Sequence, residues 1–207
     1  MAQTIVGPQT FSDGGIPDKV RAARDGSAVV SQAQARYYEW ANRGNLYTAH
    51  AIVTAPVIYT TAAGTGGPLL WNGSTTHKAV ILAVGFGTAV VTTVAASLGL
   101  TGNTGQTAAP ASTTAIDSVK NCYLGGAAPA ATAYRVGTPD AAGNFFHPFG
   151  QVHTGALTVD TTGMFWVDIG GAFVVPQYGW ISVAASATAS TLVANFTLLW
   201  AEVPNAG

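Results

Sequence analysis

Four histidines and a few carboxylates are the residues of this chain with metal-binding chemistry. His147 and His153 lie six positions apart, and Asp160 and Asp168 follow them. Two histidines and one carboxylate form a common ligand set for a transition metal, and jelly-roll sheets can carry such a site. In a strand, the two rings share a face only if the strand continues through Pro148, a residue that typically interrupts strands. The spacing therefore predicts ordinary loop histidines, with no metal and no other cofactor.

Two further patterns of catalytic chemistry are missing from the sequence. The G-x-S-x-G turn of a serine hydrolase does not occur, and the glycine-rich segments 85–87 and 102–105 lack the Lys-Ser/Thr pair of a phosphate-binding loop. Glycoside hydrolysis needs two facing carboxylates, and we interpret Asp168, before Gly170-Gly171, as a strand-end residue with a structural hydrogen bond. Cys122, the only cysteine, is interpreted as a small buried thiol. We therefore predict no catalytic residue and no enzyme activity.

The scarcity of charge is the strongest constraint that the composition places on function. Charged residues make up 8% of the 207 residues, against about 25% in a typical soluble domain. Residues 46–207 carry only eight of them: Lys78, Asp117, Lys120, Arg135, Asp140, Asp160, Asp168 and Glu202. With a net charge of −1, the chain lacks the basic balance of a nucleic-acid binder, so we predict no direct nucleic-acid partner. A surface so poor in charge must consist of small polar residues or be covered by other subunits.

The remaining charges lie in an N-terminal segment that differs from the rest of the chain. Residues 1–45 are predicted to form an extended arm, interrupted by glycine and proline up to Gly26, and then a short helix from Ser27 to Gly44. The pair Val29-Val30 fits a strand equally well. The start of the sequence lacks the charged and apolar regions of a signal peptide, so we expect synthesis in a cytoplasm.

Residues 46–207 are predicted to form one all-β domain. About nine or ten strands are expected, arranged as an antiparallel β-sandwich of the jelly-roll type. The uncharged segment 79–100 has the length of a membrane helix. Its many β-branched residues instead favour two buried strands with a break near Gly85 or Gly87. We therefore predict that the protein does not span a membrane.

Three local patterns refine this architecture. Asn72-Gly73 is typical of a type I′ hairpin turn. Segment 99–114, rich in glycine, threonine, alanine and serine, predicts a long exposed loop. In the last strand, Thr191–Val203, alternate residues are predicted to share one face: Leu192, Ala194, Phe196, Leu198 and Trp200.

Aromatic residues are the best candidates for contacts with other molecules. Four of them lie around the junction of the two segments: Tyr37, Tyr38, Trp40 and Tyr47. They either pack the helix on the sandwich or form a subunit contact, a setting in which tyrosine and tryptophan are enriched. We take the subunit contact as the candidate site. On the sandwich itself, Trp71 and Trp180 would offer flat surfaces on which a sugar ring stacks, if they are exposed.

Five segments carry a resemblance to a known group of proteins: MAQTIVGPQ (Met1–Gln9), ARYYEWANRGNLY (Ala35–Tyr47), AVILAVGFGTAV (Ala79–Val90), DIGG (Asp168–Gly171) and FVVPQYGWISV (Phe173–Val183). In order and composition, the chain resembles virion structural proteins of tailed bacteriophages. This resemblance implies a subunit of a phage particle, in the head or in the tail, that forms a trimer or another symmetric oligomer.

Taken together, these patterns predict a non-enzymatic structural subunit of a bacteriophage particle. The role we favour is a capsid decoration or cement protein, made in the host cytoplasm and located in the virion. It would stabilise the shell through contacts with its own copies in a homotrimer and with other virion proteins, such as the major capsid protein. The alternative is a carbohydrate- or receptor-binding β-sandwich, either in a tail or fibre or as a lectin-like module.

Overall fold

The computed structural model divides the chain into two compact units, Met1–Glu39 and Trp40–Gly207. In the first unit, strand β1 (Arg21–Ala22) pairs with the antiparallel strand β2 (Ala28–Val29). The helix predicted from Ser27 is therefore wrong at β2, where the β-branched alternative holds. The described residues are 21–22, 28–29, 37–54, 57–58, 67–90, 96–116, 119–140, 142–152, 164–185 and 193–205.

The only helix of the described residues, α1 (Tyr38–Asn42), ends where the sequence predicted. Gly44 has a positive φ of 71°, a conformation that glycine adopts without steric cost. Its N–H donates to the carbonyl of Ala41 at 2.9 Å, and the Asn45 N–H donates to the carbonyl of Trp40 at 3.0 Å. This pair of bonds is the Schellman motif, and it fixes the direction in which the chain enters the sheet.

Twelve further strands form a β-sandwich of two sheets. They are β3 (Leu46–Thr54), β4 (Val57–Ile58), β5 (Gly67–Asn72), β6 (His77–Val90), β7 (Ala96–Asn103), β8 (Ala111–Ala115), β9 (Lys120–Asn121), β10 (Thr132–Thr138), β11 (Asn144–Val152), β12 (Met164–Val175), β13 (Gly179–Ala185) and β14 (Val193–Pro204). The first sheet has seven strands in the order β11-β7-β13-β5-β10-β8, with β4 beside β13, and the second has five in the order β12-β6-β14-β3-β9. All neighbours are antiparallel except β4 and β13.

The strand order is that of a jelly roll. Eight long strands pair first with last towards the middle of the chain: β3 with β14, β5 with β13, β6 with β12, and β7 with β11. This is the pattern of one long hairpin wound into two sheets. Four strands remain. β4 lies beside β13, while β8, β9 and β10 form an insertion between β7 and β11 and extend the edges at β5 and β3. The predicted all-β antiparallel sandwich is confirmed.

The core lies between the two sheets, and β14 supplies much of it. Phe196, Leu198 and Trp200 are buried on one face of this strand, as the alternation predicted. The ring of Phe196 lies 5.2 Å from that of Phe86 on β6. Leu192 lies outside the described residues.

The glycine pattern around β6 was interpreted wrongly. Residues 77–90 form one continuous strand, with Gly85 and Gly87 in register with Thr197 and Asn195 on β14. Glycine is compatible with an extended backbone, and here the space left by the missing side chain is filled from a neighbouring strand. No helix of the described residues is long and apolar enough to cross a membrane.

Two predicted connections also differ from the structure. Asn72-Gly73 joins β5 and β6, which belong to different sheets, so the turn is a link between layers and makes no hairpin. Asn72 is buried and its Nδ2 donates to the carbonyls of His77 at 2.9 Å and Val175 at 3.0 Å. Segment 99–114, predicted as a loop, contains the second half of β7 and the start of β8.

Candidate functional site

The residues considered for metal chemistry do not form a site in the described part of the chain. The ring of His147 on β11 lies 5.4 Å from that of Phe173 on β12. His153 and Asp160 lie outside the described residues. Asp168 is on β12, and no group of three or more histidine, cysteine or acidic residues able to hold a metal occurs among the residues that the structure describes.

Of the four aromatic residues predicted for a subunit contact, one belongs to the core. Tyr47 on β3 is only 4% exposed and stacks on Trp200 with 5.8 Å between ring centroids. Its ring therefore contributes to this chain's own packing and offers no area to a partner. Tyr38 is exposed, and Tyr37 and Trp40 are partly buried.

The predicted sugar-stacking tryptophans do not form an exposed surface. Trp180 on β13 is 2% exposed, and Trp71 on β5 is partly buried. The two residues are register partners in the seven-stranded sheet. Trp71 lies over Gly73, where even a methyl group would collide with its ring. The Trp180 ring therefore has almost no exposed area, and the Trp71 ring is only partly exposed.

The two sheets end differently on their two sides. On one side the insertion closes them with the short strands β8 and β9. On the other side they end in the long strands β11 and β12, which face each other across the sandwich, with the rings of Phe146 and Phe173 4.8 Å apart. We call this second side the open edge. Long unpaired strands at a sheet edge offer backbone groups to another chain.

Within the open edge, β12 is the more regular strand. β11 contains Pro148 and shifts its register at two places, both of which disturb an edge for pairing. β12 is in unbroken register with β6 from Met164 to Asp168, and only afterwards does a bulge containing Gly170 and Gly171 interrupt it. The segment 164–168 thus presents a straight edge.

Among the open-edge aromatic residues whose burial the structure describes, Trp166 is the most exposed. It is 55% exposed and stands in register with Gly85 on β6. A Cβ atom on Gly85 would lie 3.1 Å from the Trp166 ring, which shows that the ring lies across this glycine. The outward side of the indole is therefore a flat apolar surface.

Trp166 borders an outer sheet face that has almost no charge. The alternate residues of β6, β14 and β3 point into the core, so those between them form the outer face. Ile52, at the other side of this face, is 56% exposed. We call this surface the pale face. Its exposed or partly exposed central residues are Asn195, Thr197, Thr48, His50 and Ile52, and the buried residues of the same rows are Ala83, Gly85, Gly87 and Leu199.

A pocket of about 670 Å³ lies at the end of the sandwich where β3 begins and β14 ends. We call it the corner pocket. Its walls come from the end of α1, from the segment 123–130 of the insertion, and from β3, β6 and β14. The lining residues are Asn42, Arg43, Gly44, Asn45, Tyr47, His77, Tyr123, Gly126, Ala127, Ala128, Pro129, Ala130 and Glu202.

Glu202 is a buried carboxylate that holds one wall of the corner pocket. It is 4% exposed. Its Oε2 accepts the N–H of Ala130 and its Oε1 that of Ala131, both at 2.8 Å, and Oε1 also accepts Trp200 Nε1 at 3.4 Å. Three donors replace the water that a buried carboxylate loses.

Asn121 holds the same wall from the other side. Its Nδ2 donates to the carbonyls of Gly44 at 2.7 Å and Ala127 at 3.0 Å, while its Oδ1 accepts the N–H of Tyr123 at 2.9 Å. The Asn121 amide thus joins the insertion to Gly44, just after α1, and the Glu202 carboxylate joins the insertion to the last strand, β14.

The phenol of Tyr47 lies close to Glu202 within this pocket. Burial raises the pKa of Tyr47 above its ordinary value, and the negative charge of Glu202 raises it further. The phenol therefore stays protonated and can donate a hydrogen bond at any physiological pH. His77 has its Nδ1 beside the Thr76 hydroxyl at 2.9 Å, which leaves its Nε2 for another partner.

No protein-family model matches this chain, and a search of curated proteins found no match.

Sequence reasoning missed both the exposed Trp166 of the open edge and the corner pocket around Glu202. Trp166 was placed in a strand, but its exposure depends on Gly85 across the sheet, which the order of residues does not reveal. Glu202 had a signal: it continues the alternation of Phe196, Leu198 and Trp200, so the pattern put a carboxylate on the core face.

Proposed function

We propose that the protein is a non-enzymatic structural subunit that assembles with copies of itself, and that the assembly belongs to a bacteriophage particle. The observation that carries this proposal is the straight edge of β12, which pairs with no second strand among the described residues, beside the exposed ring of Trp166. This feature gives a neighbouring copy both backbone hydrogen-bonding groups and apolar area at the same place.

Segment 164–168 of β12 has few of the devices that keep sheets apart: it has no proline and no bulge, and its one charge lies at its end. Monomeric sheet proteins protect edge strands with charged residues, proline or bulges, or with short strands. The insertion does so on the other side of the sandwich, where it ends the sheets in β8 and β9. In segment 164–168 the only charge is that of Asp168, at its end. A neighbouring copy that pairs with this segment would satisfy its outward N–H and C=O groups.

The pale face adds area to such a contact. The small residue Thr197 allows close approach, while Trp166 and Ile52 supply the large apolar groups that interfaces bury. The central rows of this face hold no Asp, Glu, Lys or Arg. A second copy can therefore cover these rows without desolvating a charge, and the flanking charges, Asp168 on β12 and Lys120 on β9, lie at the borders of the face.

The phage assignment rests on the resemblance to virion structural proteins and on the fold, since jelly rolls are a common architecture of viral capsid subunits. A decoration or cement protein fits best, because such a protein needs contacts with its own copies and with a capsid shell and needs no catalytic site. Symmetry adds a distinction. Two β12 edges that pair about a two-fold axis give a dimer, whereas the predicted homotrimer requires β12 to contact a different surface of the next copy.

Light scattering coupled to size exclusion tests the assembly. We expect the wild-type protein to elute at a multiple of its 21.0 kDa chain mass, with the multiple distinguishing dimer from trimer. Trp166→Glu places a charge on the contact and is expected to give the monomer. Leu124→Glu is the matched control, because Leu124 is 87% exposed and lies on neither the open edge nor the pale face. A wild-type protein that stays monomeric at high concentration would contradict the proposal.

A further inference from the structure

We infer that the corner pocket binds a neutral, hydroxyl-rich ligand of the saccharide class. This inference does not depend on self-assembly, because the pocket is built from residues of one chain and none of its lining residues belongs to β12. The pocket volume of about 670 Å³ is within the range of small-molecule sites and has room for one or two sugar rings.

The pocket is held in shape before any ligand arrives. Glu202 fixes the backbone at Ala130 and Ala131, and Asn121 joins the same segment to the helix corner at Gly44. Each of these bonds spans many residues of sequence, so the wall cannot move without breaking contacts to other elements. A preformed pocket spares a ligand the entropic cost of ordering it.

Several lining groups have the donor and acceptor capacity that sugar hydroxyls need. Among the residues that the structure describes, the side chains of Asn42 and Asn45 and the hydroxyl of Tyr47 have no hydrogen-bond partner, and His77 has a free Nε2. Amide, hydroxyl and imidazole groups all pair with hydroxyls in either direction. Tyr123, 54% exposed at the rim, supplies an aromatic face for the apolar side of a sugar ring.

The charges of the pocket give no preference for an ionic ligand. Glu202 and Arg43 carry opposite charges, so the lining has no net charge that would attract an ion of either sign. The described residues around it hold one carboxylate, too few to bind a metal. An apolar ligand would leave the amides and the Tyr47 hydroxyl without partners. A neutral polyol fits the pocket best, because it needs no charged partner and pairs with the polar lining groups.

Saturation-transfer NMR with four methyl glycosides, those of glucose, galactose, mannose and N-acetylglucosamine, tests the inference. A compound of this size at ordinary ligand efficiency binds with a Kd on the order of 1 mM. We expect transfer from the protein to at least one glycoside at such a concentration. Inorganic phosphate added to the same sample is expected to leave the signal unchanged.

Two variants locate the binding. Tyr123→Ala removes the aromatic face and Tyr47→Phe removes one hydroxyl without changing the core, and each is expected to raise the Kd at least about fivefold, roughly the worth of one hydrogen bond. Leu124→Ala, next in sequence and outside the pocket, is the control and should bind as wild type. Absence of transfer with all four glycosides, competition by phosphate, or equal binding by both pocket variants would overturn the inference. The oligomeric mass is measured independently of all these results, so a failure of this inference is distinguishable from a failure of the proposed assembly.

Discussion

The carboxylate of Glu202 accepts the backbone N–H of Ala131 at 2.8 Å, across 71 positions of sequence. This bond joins the last strand of the jelly roll to the insertion between its fourth and fifth long strands. Together with the bond to Ala130, it turns a lone buried charge into a structural tie and gives the corner pocket a fixed wall.

Removing the charge while keeping the shape tests this tie. Glu202→Gln replaces one acceptor oxygen by an amide that cannot accept an N–H, so one buried donor at Ala130 or Ala131 loses its partner. We expect the free energy of unfolding to fall by about 1–3 kcal/mol, measured by urea denaturation. Asp140→Asn, at an exposed position, is the control. Equal midpoints for the two variants would contradict this role of Glu202.

The raised pKa of Tyr47 predicts how the free energy of unfolding changes at alkaline pH. Burial and the charge of Glu202 raise the pKa of Tyr47 in the folded state, whereas the unfolded chain has the ordinary value near 10. Above that value the unfolded state releases a proton that the folded state retains. Stability is therefore unaffected below about pH 9 and falls as pH rises from about 10 towards the folded pKa, by at most about 1.4 kcal/mol per pH unit.

Tyr47→Phe removes this titration. The variant is expected to lose less stability than wild type between pH 9 and pH 11 in urea titrations. Tyr178→Phe, which removes an exposed phenol, serves as the control and should keep the wild-type slope. If Tyr47→Phe kept that slope as well, another group would be responsible for it.

The burial of Asn72 predicts that the same substitution, Asn to Asp, lowers the free energy of unfolding much more at position 72 than at an exposed position. Its Nδ2 donates to the carbonyls of His77 and Val175 in a buried position. Asn72→Asp points an oxygen at these carbonyls, so we expect a loss of more than about 2 kcal/mol. Asn205→Asp makes the same change where Asn205 bonds Thr75 in an exposed position, and should cost less than about 1 kcal/mol. Similar melting temperatures for the two variants would refute the prediction.

Cys122 is expected to react slowly. Burial raises the pKa of its thiol, and the thiolate is the reactive form. Ellman's reagent at pH 8 should therefore modify the folded protein more slowly than the same protein in guanidinium chloride. Equal rates in the two conditions would show that the thiol is accessible and unperturbed.

Sequence patterns were sufficient for the architecture but not for the surfaces. The alternation of Phe196, Leu198 and Trp200 predicted the core face of β14, because inward and outward residues alternate in any half-buried strand. Gly85 was taken for a break, because its role depends on the indole of Trp166 from another strand. Asn72-Gly73 was taken for a hairpin, since a turn motif does not indicate whether the next strand joins the same sheet.

The corner pocket could not be predicted from the sequence for the same reason. Its walls are set by the bonds of Glu202 and Asn121 to segments far away in sequence. The predicted contact residue Tyr47 was identified by its chemical type alone. The structure buries its ring, which the aromatic cluster around it in the sequence did not indicate.

Amide hydrogen exchange in the 164–168 segment tests the central claim, that β12 pairs with a neighbouring copy. At a concentration where the protein is assembled, the outward amides of this segment are expected to exchange slowly, and dilution to the monomer should accelerate them at least about tenfold. Peptides that cover β8, a protected edge, should exchange alike at both concentrations. Exchange in 164–168 that is fast and independent of concentration, in a protein that is nonetheless oligomeric, would contradict the claim.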